Sequence, residues 1–401
     1  MAPRARLADL PAPPPGREGW PWTVDSGAGP GAGGDAWPRI SIVTPSLNQG
    51  EFIEETVRSV LLQGYPSLQY LVIDGGSTDG TVAILEKYAP WIDFWVSERD
   101  RGQSEAINKG LSRCDGEWFN WINSDDYLLP GALEALASAA RETTRPIVSG
   151  VTRNVGSAGL APQYAARVGD SWPALLFNLG VNQPGSIARM ASVRAAGPLR
   201  EDLGLCMDLD LWIRLALAHG PAPAEQVPQA VAAYRYHAAS KTCSGTDVFA
   251  LEEFRVLTGL ASSLGGLPPG FPGTSGKLAP PQGAPAVPSI PTDPGAVEAA
   301  YVDRLLVSDS LLYRAIVVSC RKEGDPQAEF LAALALLRPT LARLYPGGRA
   351  AQVEARALVH AMEELGRLDG RMARRAVAAR PAPATLASLA RIALRGKGRG
   401  P

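Results

Sequence analysis

Asn123-Ser124-Asp125-Asp126 follows the apolar run Trp118-Phe119-Asn120-Trp121-Ile122 and precedes Tyr127-Leu128-Leu129-Pro130. An aspartate pair at the exit of a buried strand is costly to place unless a cation compensates it. Hard divalent ions with oxygen ligands do so where phosphates are also bound. A solvated turn accommodates the same residues, because Asp is common at helix N-caps and in turns. The preceding chain bears on the choice. Ile40-Ser41-Ile42-Val43-Thr44 is a β-branched run stopped at Pro45, Tyr70-Leu71-Val72-Ile73 ends at Asp74, and Phe94-Trp95-Val96 leads to Asp100-Arg101-Gly102-Gln103. Helical spacing fills the intervals, with apolar residues at 52, 53, 57, 60 and 61, then helices over 81–88 and through Leu111. This β-α-β-α-β-α-β alternation predicts an α/β layered sheet, mainly parallel in its first half. Loops 45–49, 74–79, 100–103 and 123–126 then converge at the carboxyl ends of successive strands, where open α/β sheets bind ligands.

Further along, the pattern predicts a helix at 131–141, a strand at 146–151 and an irregular stretch at 155–180 with helix over 172–179. A loop enters a strand at 182–187, a well-buried helix covers 207–219, and a strand runs from 231 to 236. Residues 1–37 are rich in Pro, Gly and Ala, a composition that buries too little surface to offset its ordering entropy. A largely disordered leader is expected there, in which Trp20, Trp22 and Trp37 could dock on the domain. Residues 38–263 form the α/β domain, 264–295 a Pro-rich linker, and 296–401 a helical region with helices expected at 296–321, 326–344 and 350–379. The tail from Gly370 onward holds eight basic residues and no acidic one, and residues 385–395 suit a basic amphipathic helix, which reads either as a solvated terminal helix or as a peripheral membrane contact.

Net charge is -1, so no overall field selects nucleic acid. Cys114, Cys206, Cys243 and Cys320 form no Cys-x-x-Cys pair and read as reduced thiols of a cytoplasmic protein. No signal-type apolar stretch and no membrane-spanning run is visible in the sequence.

Four ordered blocks carry a resemblance. They are Ile40-Ser41-Ile42-Val43-Thr44-Pro45-Ser46, then Val72-Ile73-Asp74-Gly75-Gly76-Ser77-Thr78-Asp79-Gly80, then Asp100-Arg101-Gly102-Gln103-Ser104-Glu105-Ala106-Ile107-Asn108-Lys109-Gly110, and Asn123-Ser124-Asp125-Asp126. Together they resemble a family-2 glycosyltransferase of the GT-A fold, over residues 38–245. The resemblance implies a Rossmann-like mixed sheet and an inverting transfer from a nucleoside diphosphate sugar to a hydroxyl of a glycan or lipid-linked acceptor. It implies that Asp74 accepts hydrogen bonds from the nucleobase, although Gly75-Gly76-Ser77 is also good turn chemistry. Asp125 would hold the ribose, Asp126 would hold Mn²⁺ or Mg²⁺, and Arg101, more than Lys109, would face phosphate. Pro45 and Asp79 belong to the same nucleotide-binding loops. Ser124 stands where the family's Asp-x-Asp motif would have its leading carboxylate.

Tyr234-Arg235-Tyr236-His237 resembles the family's end-of-domain histidine block, which makes His237 a second metal ligand or a phosphate contact. Met207-Asp208-Leu209-Asp210-Leu211-Trp212-Ile213-Arg214 resembles its acidic catalytic block, with Met207 in place of the first acid and Asp208 as the general base. Asp210 is spaced to pair with Arg214. Gln183 would line the acceptor side.

Three other classes compete with this reading. A sugar nucleotidyltransferase would want a basic residue in the loop after the first strand, and Pro45-Ser46-Leu47-Asn48-Gln49-Gly50 has none. A Rossmann dehydrogenase would need Gly-x-Gly-x-x-Gly there. A non-catalytic glycosyltransferase-like module that binds sugar nucleotides or scaffolds partners is the alternative that Ser124 and Met207 keep open.

Overall fold

The computed structural model describes residues 3–26, 37–156, 180–220, 222–237 and 240–241, short pieces at 248–249 and 252–257, two helices after 325 and a few single positions beyond them. The strands are Ile40–Ser46 (β1), Leu68–Asp74 (β2), Phe94–Ser97 (β3), Trp118–Trp121 (β4), Tyr127–Leu128 (β5), Ile147–Val155 (β6), Ser186–Arg189 (β7) and Ala224–Arg235 (β8). The helices among them are Ile53–Leu61 (α1), Thr81–Tyr88 (α2), Gln103–Leu111 (α3), Ala132–Glu142 (α4), Met190–Ala196 (α5) and Met207–His219 (α6). Pro326–Leu344 (α7) and Arg349–Glu364 (α8) follow in a second compact unit.

β1 is buried along its whole length, as a strand covered on both faces must be, and this is why it reads as an unbroken β-branched run. It pairs in parallel with β2 on one side and β4 on the other, and β3 extends the parallel half beyond β2. β7 then runs antiparallel to β4, which makes the sheet mixed, in the order β3-β2-β1-β4-β7-β6-β8-β5. Helix α3 lies against β1 at Gly110, where an added Cβ would meet Val43 Cγ1 at 2.5 Å. β8 is long and passes two register shifts against β6 before pairing with β5, so its end returns to the neighbourhood of residues 123–126. The periodic pattern missed β5 and α5, which are short, and the first half of β8, which contains Pro228.

Residues 3–26 correct the expectation of a disordered leader. Ala5 and Leu10 join the core of the first unit, and Trp22 is 5% exposed. Trp20 Nε1 donates to Leu128 O at 2.8 Å, and Trp37 packs edge-on against Tyr65. The polar anchor is Arg58 of α1, whose side chain is fully buried. Its guanidinium donates to Pro21 O (3.0 Å), Pro11 O (2.8 Å) and Trp22 O (3.0 Å), and to the Tyr88 hydroxyl (2.9 Å). Composition alone misjudged this stretch because its carbonyls are satisfied by a side chain from another element.

In the second unit α7 has the expected bounds, and Arg338 pairs with Glu354 of α8 at 3.1 Å. The expected helices at 172–179 and 296–321, the linker at 264–295 and nearly all of the basic tail lie outside the described residues.

Candidate active site

The chain leaves β1 toward β2 on one side, while β4 lies on the other, so the loops after β1 and β4 part at a topological switch point. A cleft of roughly 370 Å³ opens there, of the size that small-molecule sites occupy. One wall is the loop after β1, latched to the loop after β2. Asn48 N–H donates to Ser77 Oγ at 2.7 Å, and Thr78 N–H donates to Asn48 Oδ1 at 2.9 Å. Asn48 has φ +52°, a left-handed conformation that Asn tolerates better than most residues. Ser46 lines the cleft, and its buried hydroxyl finds no hydrogen-bond partner among the described residues.

The loop after β4 forms the floor. Thr56 Oγ1 of α1 lies within hydrogen-bond distance of Ser124 O (2.9 Å) and Asp126 O (2.6 Å), which pins this loop to the helix. Asn123 and Asp125 line the cleft, whereas Asp126 is 1% exposed. Asp125 Oδ2 lies 3.0 Å from His237 Nε2. Asn123 Oδ1 accepts from Gln103 Nε2 at 2.6 Å, and Lys241 Nζ donates to Gln103 Oε1 at 2.7 Å and to Gly204 O at 3.1 Å. Asp100 also lines the cleft; burial raises its carboxyl above the ordinary range, against the Gly102 N–H that stabilises the anion.

Known proteins share this part of the chain. The family model described as glycosyl transferase family 2 matches residues 41–203, from β1 into the loop before α6. This chain carries a family-2 glycosyltransferase domain. Among relatives of the domain, TuaG of Bacillus subtilis, whose name assigns it to teichuronic acid biosynthesis, is 40% identical over 93 residues, 22% of this chain and 36% of TuaG. The GalNAc(5)-diNAcBac-PP-undecaprenol beta-1,3-glucosyltransferase of Campylobacter jejuni is 29% identical over 109 residues, 26% of this chain and 35% of that protein. The chain thus spans about a third of the length of these relatives. The crystal structure of S. aureus TarS 1–349 superposes with a TM-score of 0.55 over 80% of this chain and 86% of that one, at 19% identity. That likeness establishes the GT-A fold, and the TarS fragment has also been solved with UDP and with UDP-GlcNAc.

Pro45 and Asp125 line the cleft, and His237 faces Asp125. Asp126 does not line it. Its carboxylate accepts Arg235 N–H at 2.9 Å and Asn123 Nδ2 at 3.3 Å, so it latches the end of β8 to the floor. Burial, and then the nearby Asp125, push its carboxyl well above the ordinary range. Asn123 and Asp125 thus line the cleft two residues apart, one an amide and the other a carboxylate. Asp74 is enclosed as well. It accepts from Gly76 N–H (3.1 Å), Ser77 N–H (2.8 Å), Ser77 Oγ (2.5 Å) and Ser97 Oγ (2.6 Å), so the turn reading of this residue accounts for its carboxylate.

Arg101 is not among the residues lining the cleft and pairs with Glu105 at 2.8 Å and Glu201 at 2.5 Å, its side chain 76% exposed. Lys109 pairs with Glu98 at 3.0 Å. Gln183 donates to Asn120 Oδ1 at 3.3 Å and to Trp121 O, bracing the end of β4. Asp208 sits in the first turn of α6, half-buried, with Oδ1 accepting Leu209 N–H at 2.8 Å. Asp210 pairs with Arg214 at 2.8 Å as its spacing predicts. α6 is set on the sheet by Trp212, whose ring stacks on Trp121 with centroids 6.0 Å apart.

Asp79 supports the wall instead of lining it. Its carboxylate accepts Gly50 N–H and Thr81 N–H, each at 2.9 Å. Burial works against its charge, but these bonds and the Thr81 hydroxyl outweigh it and hold the carboxyl below the ordinary range. A depressed folded-state value contributes stability above the unfolded aspartate range, and that stability is lost as pH falls through the folded value. Asp79→Asn is therefore expected to destabilise only modestly near neutrality, because solvent screens this exposed carboxylate, with the difference from wild type shrinking in urea melts as pH falls through the folded value.

Gln103, Asn123 and Lys241 also meet at the cleft, Gln103 and Asn123 from within the sequence blocks above and Lys241 from just beyond His237. Polar residues without a catalytic habit carry little signal until the fold brings them together. A divalent cation at this point would find one carboxylate oxygen from Asp125 and one imidazole nitrogen from His237. Ligands at about 2.1 Å on adjacent octahedral vertices stand about 3 Å apart, the separation these two atoms have. No three His, Cys, Asp or Glu side chains converge among the described residues. A two-ligand site completed by phosphate oxygens and water is a normal arrangement for such ions.

Proposed function

We propose that this chain is an inverting glycosyltransferase, moving a sugar from a nucleoside diphosphate sugar to an acceptor hydroxyl in the assembly of a surface polysaccharide or glycolipid. The observation that carries this reading is Asp125, which lines the cleft at the β1–β4 switch point and meets His237 behind it, with Lys241 lining the same cleft. Mn²⁺ or Mg²⁺ held by that pair would neutralise the diphosphate and stabilise it as it leaves. Lys241 Nζ adds a fixed cation, and Gln103 and Gly204 hold it in place. Asp208 is the candidate base. It takes the proton of the acceptor hydroxyl while that oxygen attacks the anomeric carbon from the side opposite the leaving diphosphate, which inverts the centre.

UDP-sugars are the first donors to test, given the nucleotides bound by the structurally similar TarS fragment. The undecaprenol-linked acceptor named for the Campylobacter relative favours a lipid-linked acceptor here. Such an acceptor would bring the protein to the cytoplasmic face of a membrane, with the basic tail as its contact. No helix among the described residues is long and apolar enough to cross a membrane.

The test is release of nucleoside diphosphate from UDP-, GDP- and dTDP-sugars in the presence of a mixed glycan and lipid-linked acceptor extract, with and without Mn²⁺. Metal-dependent release from one donor is expected. Tight nucleotide binding with no release from any donor would favour the non-catalytic module. Asp208→Asn is expected to lower kcat by about 10²–10⁴-fold with donor affinity unchanged. Wild-type kcat in that variant would remove Asp208 from the role.

A further inference from the structure

A site with two protein ligands has no third side chain to fix its geometry, so whatever orients those two matters more than usual. His237 is oriented from a direction that the catalytic motifs do not include. Its imidazole lies against the Phe52 ring, with centroids 4.7 Å apart and planes at 39°. The Arg235 guanidinium lies 4.9 Å from the centroid of that same Phe52 ring and 5.3 Å from that of Tyr127. Its charge is met by Glu55 at 3.2 Å, and Glu55 in turn lies 3.9 Å from Arg17 of the N-terminal segment. Arg235 N–H also holds Asp126 Oδ1. Arg235 and His237 are two residues apart at the end of an extended strand, so their side chains fall on the same side, and both meet Phe52.

We infer that Phe52 and Arg235 are positioning residues for the cation pair. Arg235, fixed by Glu55 and Tyr127, backs the Phe52 ring, and that ring holds the His237 imidazole so that Nε2 stays directed at Asp125. The inference rests on the reading of Asp125 and His237 as the pair that binds the cation. Outer contacts of this kind set metal affinity while leaving the nucleotide's own contacts in place.

The experiment titrates Mn²⁺ into the full chain with saturating UDP, following loss of the free-ion electron paramagnetic resonance signal. It compares wild type with His237→Ala, Phe52→Leu, Phe52→Tyr and Arg235→Lys, each confirmed folded by circular dichroism. Phe52→Leu is expected to weaken Mn²⁺ by about 10-fold, the lower end of outer-contact effects. Phe52→Tyr keeps the aromatic face and is expected to retain wild-type affinity. Arg235→Lys keeps the charge but loses the planar stack, and is expected to weaken Mn²⁺ in the same direction. Metal-free UDP affinity is expected to stay unchanged throughout, which a general loss of structure would not allow. Phe52→Met, closer in volume, takes the same test if Phe52→Leu does not fold. Wild-type Mn²⁺ affinity in a folded Phe52 variant lacking the aromatic ring, beside weakened binding in His237→Ala, overturns the clamp and leaves the cation pair standing. Wild-type affinity in His237→Ala overturns both.

Discussion

Asp125→Ala is expected to fold normally and to lose transfer activity by about 10³-fold or more, while Asp126→Ala is expected to lose stability. The two aspartates are neighbours in sequence but differ in what they touch. Asp125 faces the cleft and His237, so on the proposed reading its removal would take away a ligand of an ion that supplies several kcal/mol of charge stabilisation, about a factor of ten for each 1.4 kcal/mol. Asp126 is enclosed and accepts Arg235 N–H, so its removal strands a buried donor at a cost of about 1–3 kcal/mol. Asp126→Asn is expected to be milder than Asp126→Ala, because burial already disfavours the charged carboxylate there and an amide oxygen can still accept from Arg235. Steady-state kinetics and urea unfolding on the same preparations separate the two effects. Equal loss of activity in folded Asp126→Asn and Asp125→Ala would contradict the assignment.

Arg58→Met is expected to destabilise the first unit by about 3–5 kcal/mol, the range seen when one member of a buried ionic network is removed. The guanidinium is fully enclosed and has four oxygen partners, three of them backbone carbonyls of the N-terminal segment. Methionine matches much of its volume and none of its donors. The Tyr88 hydroxyl that accepts from Arg58 also donates to Glu54 at 2.8 Å, so the buried charge is balanced through one relay. Arg58→Lys is expected to recover only part of the loss, because a single ammonium cannot span carbonyls that the planar fork reaches together. Urea melts measure the cost, and limited proteolysis of residues 3–26 reports release of the segment. A change below 1 kcal/mol in Arg58→Met would show that the segment is held by its apolar contacts alone.

The parallel half of the sheet was legible because β1, β2 and β4 are buried on both faces and read as short apolar runs between turn residues. The convergence of loops at their carboxyl ends followed from the alternation alone. Which aspartate faces the cleft was not legible, because that depends on Thr56 pinning the backbone of the loop, a contact 70 residues distant in sequence. Asp74 shows the opposite case. Gly75, Gly76 and Ser77 signalled a turn, and the turn is where its carboxylate is engaged. The N-terminal segment was misread because composition reports what a stretch can bury by itself, whereas its order depends on Arg58. The charged patterns gave a mixed yield. Arg101 looked like a phosphate ligand and is tied up by two glutamates, whereas Lys241, equally plain in sequence, lines the cleft.

On the proposed reading the cleft holds a cation between Asp125 and His237. Its most direct test is an anomalous difference map from crystals grown with Mn²⁺ and UDP. The account predicts one strong peak within coordination distance of Asp125 and His237, completed by diphosphate oxygens, with Asp126 still bonded to Arg235 N–H. A peak ligated by Asp126, or UDP bound in the cleft with no metal near Asp125, would contradict it.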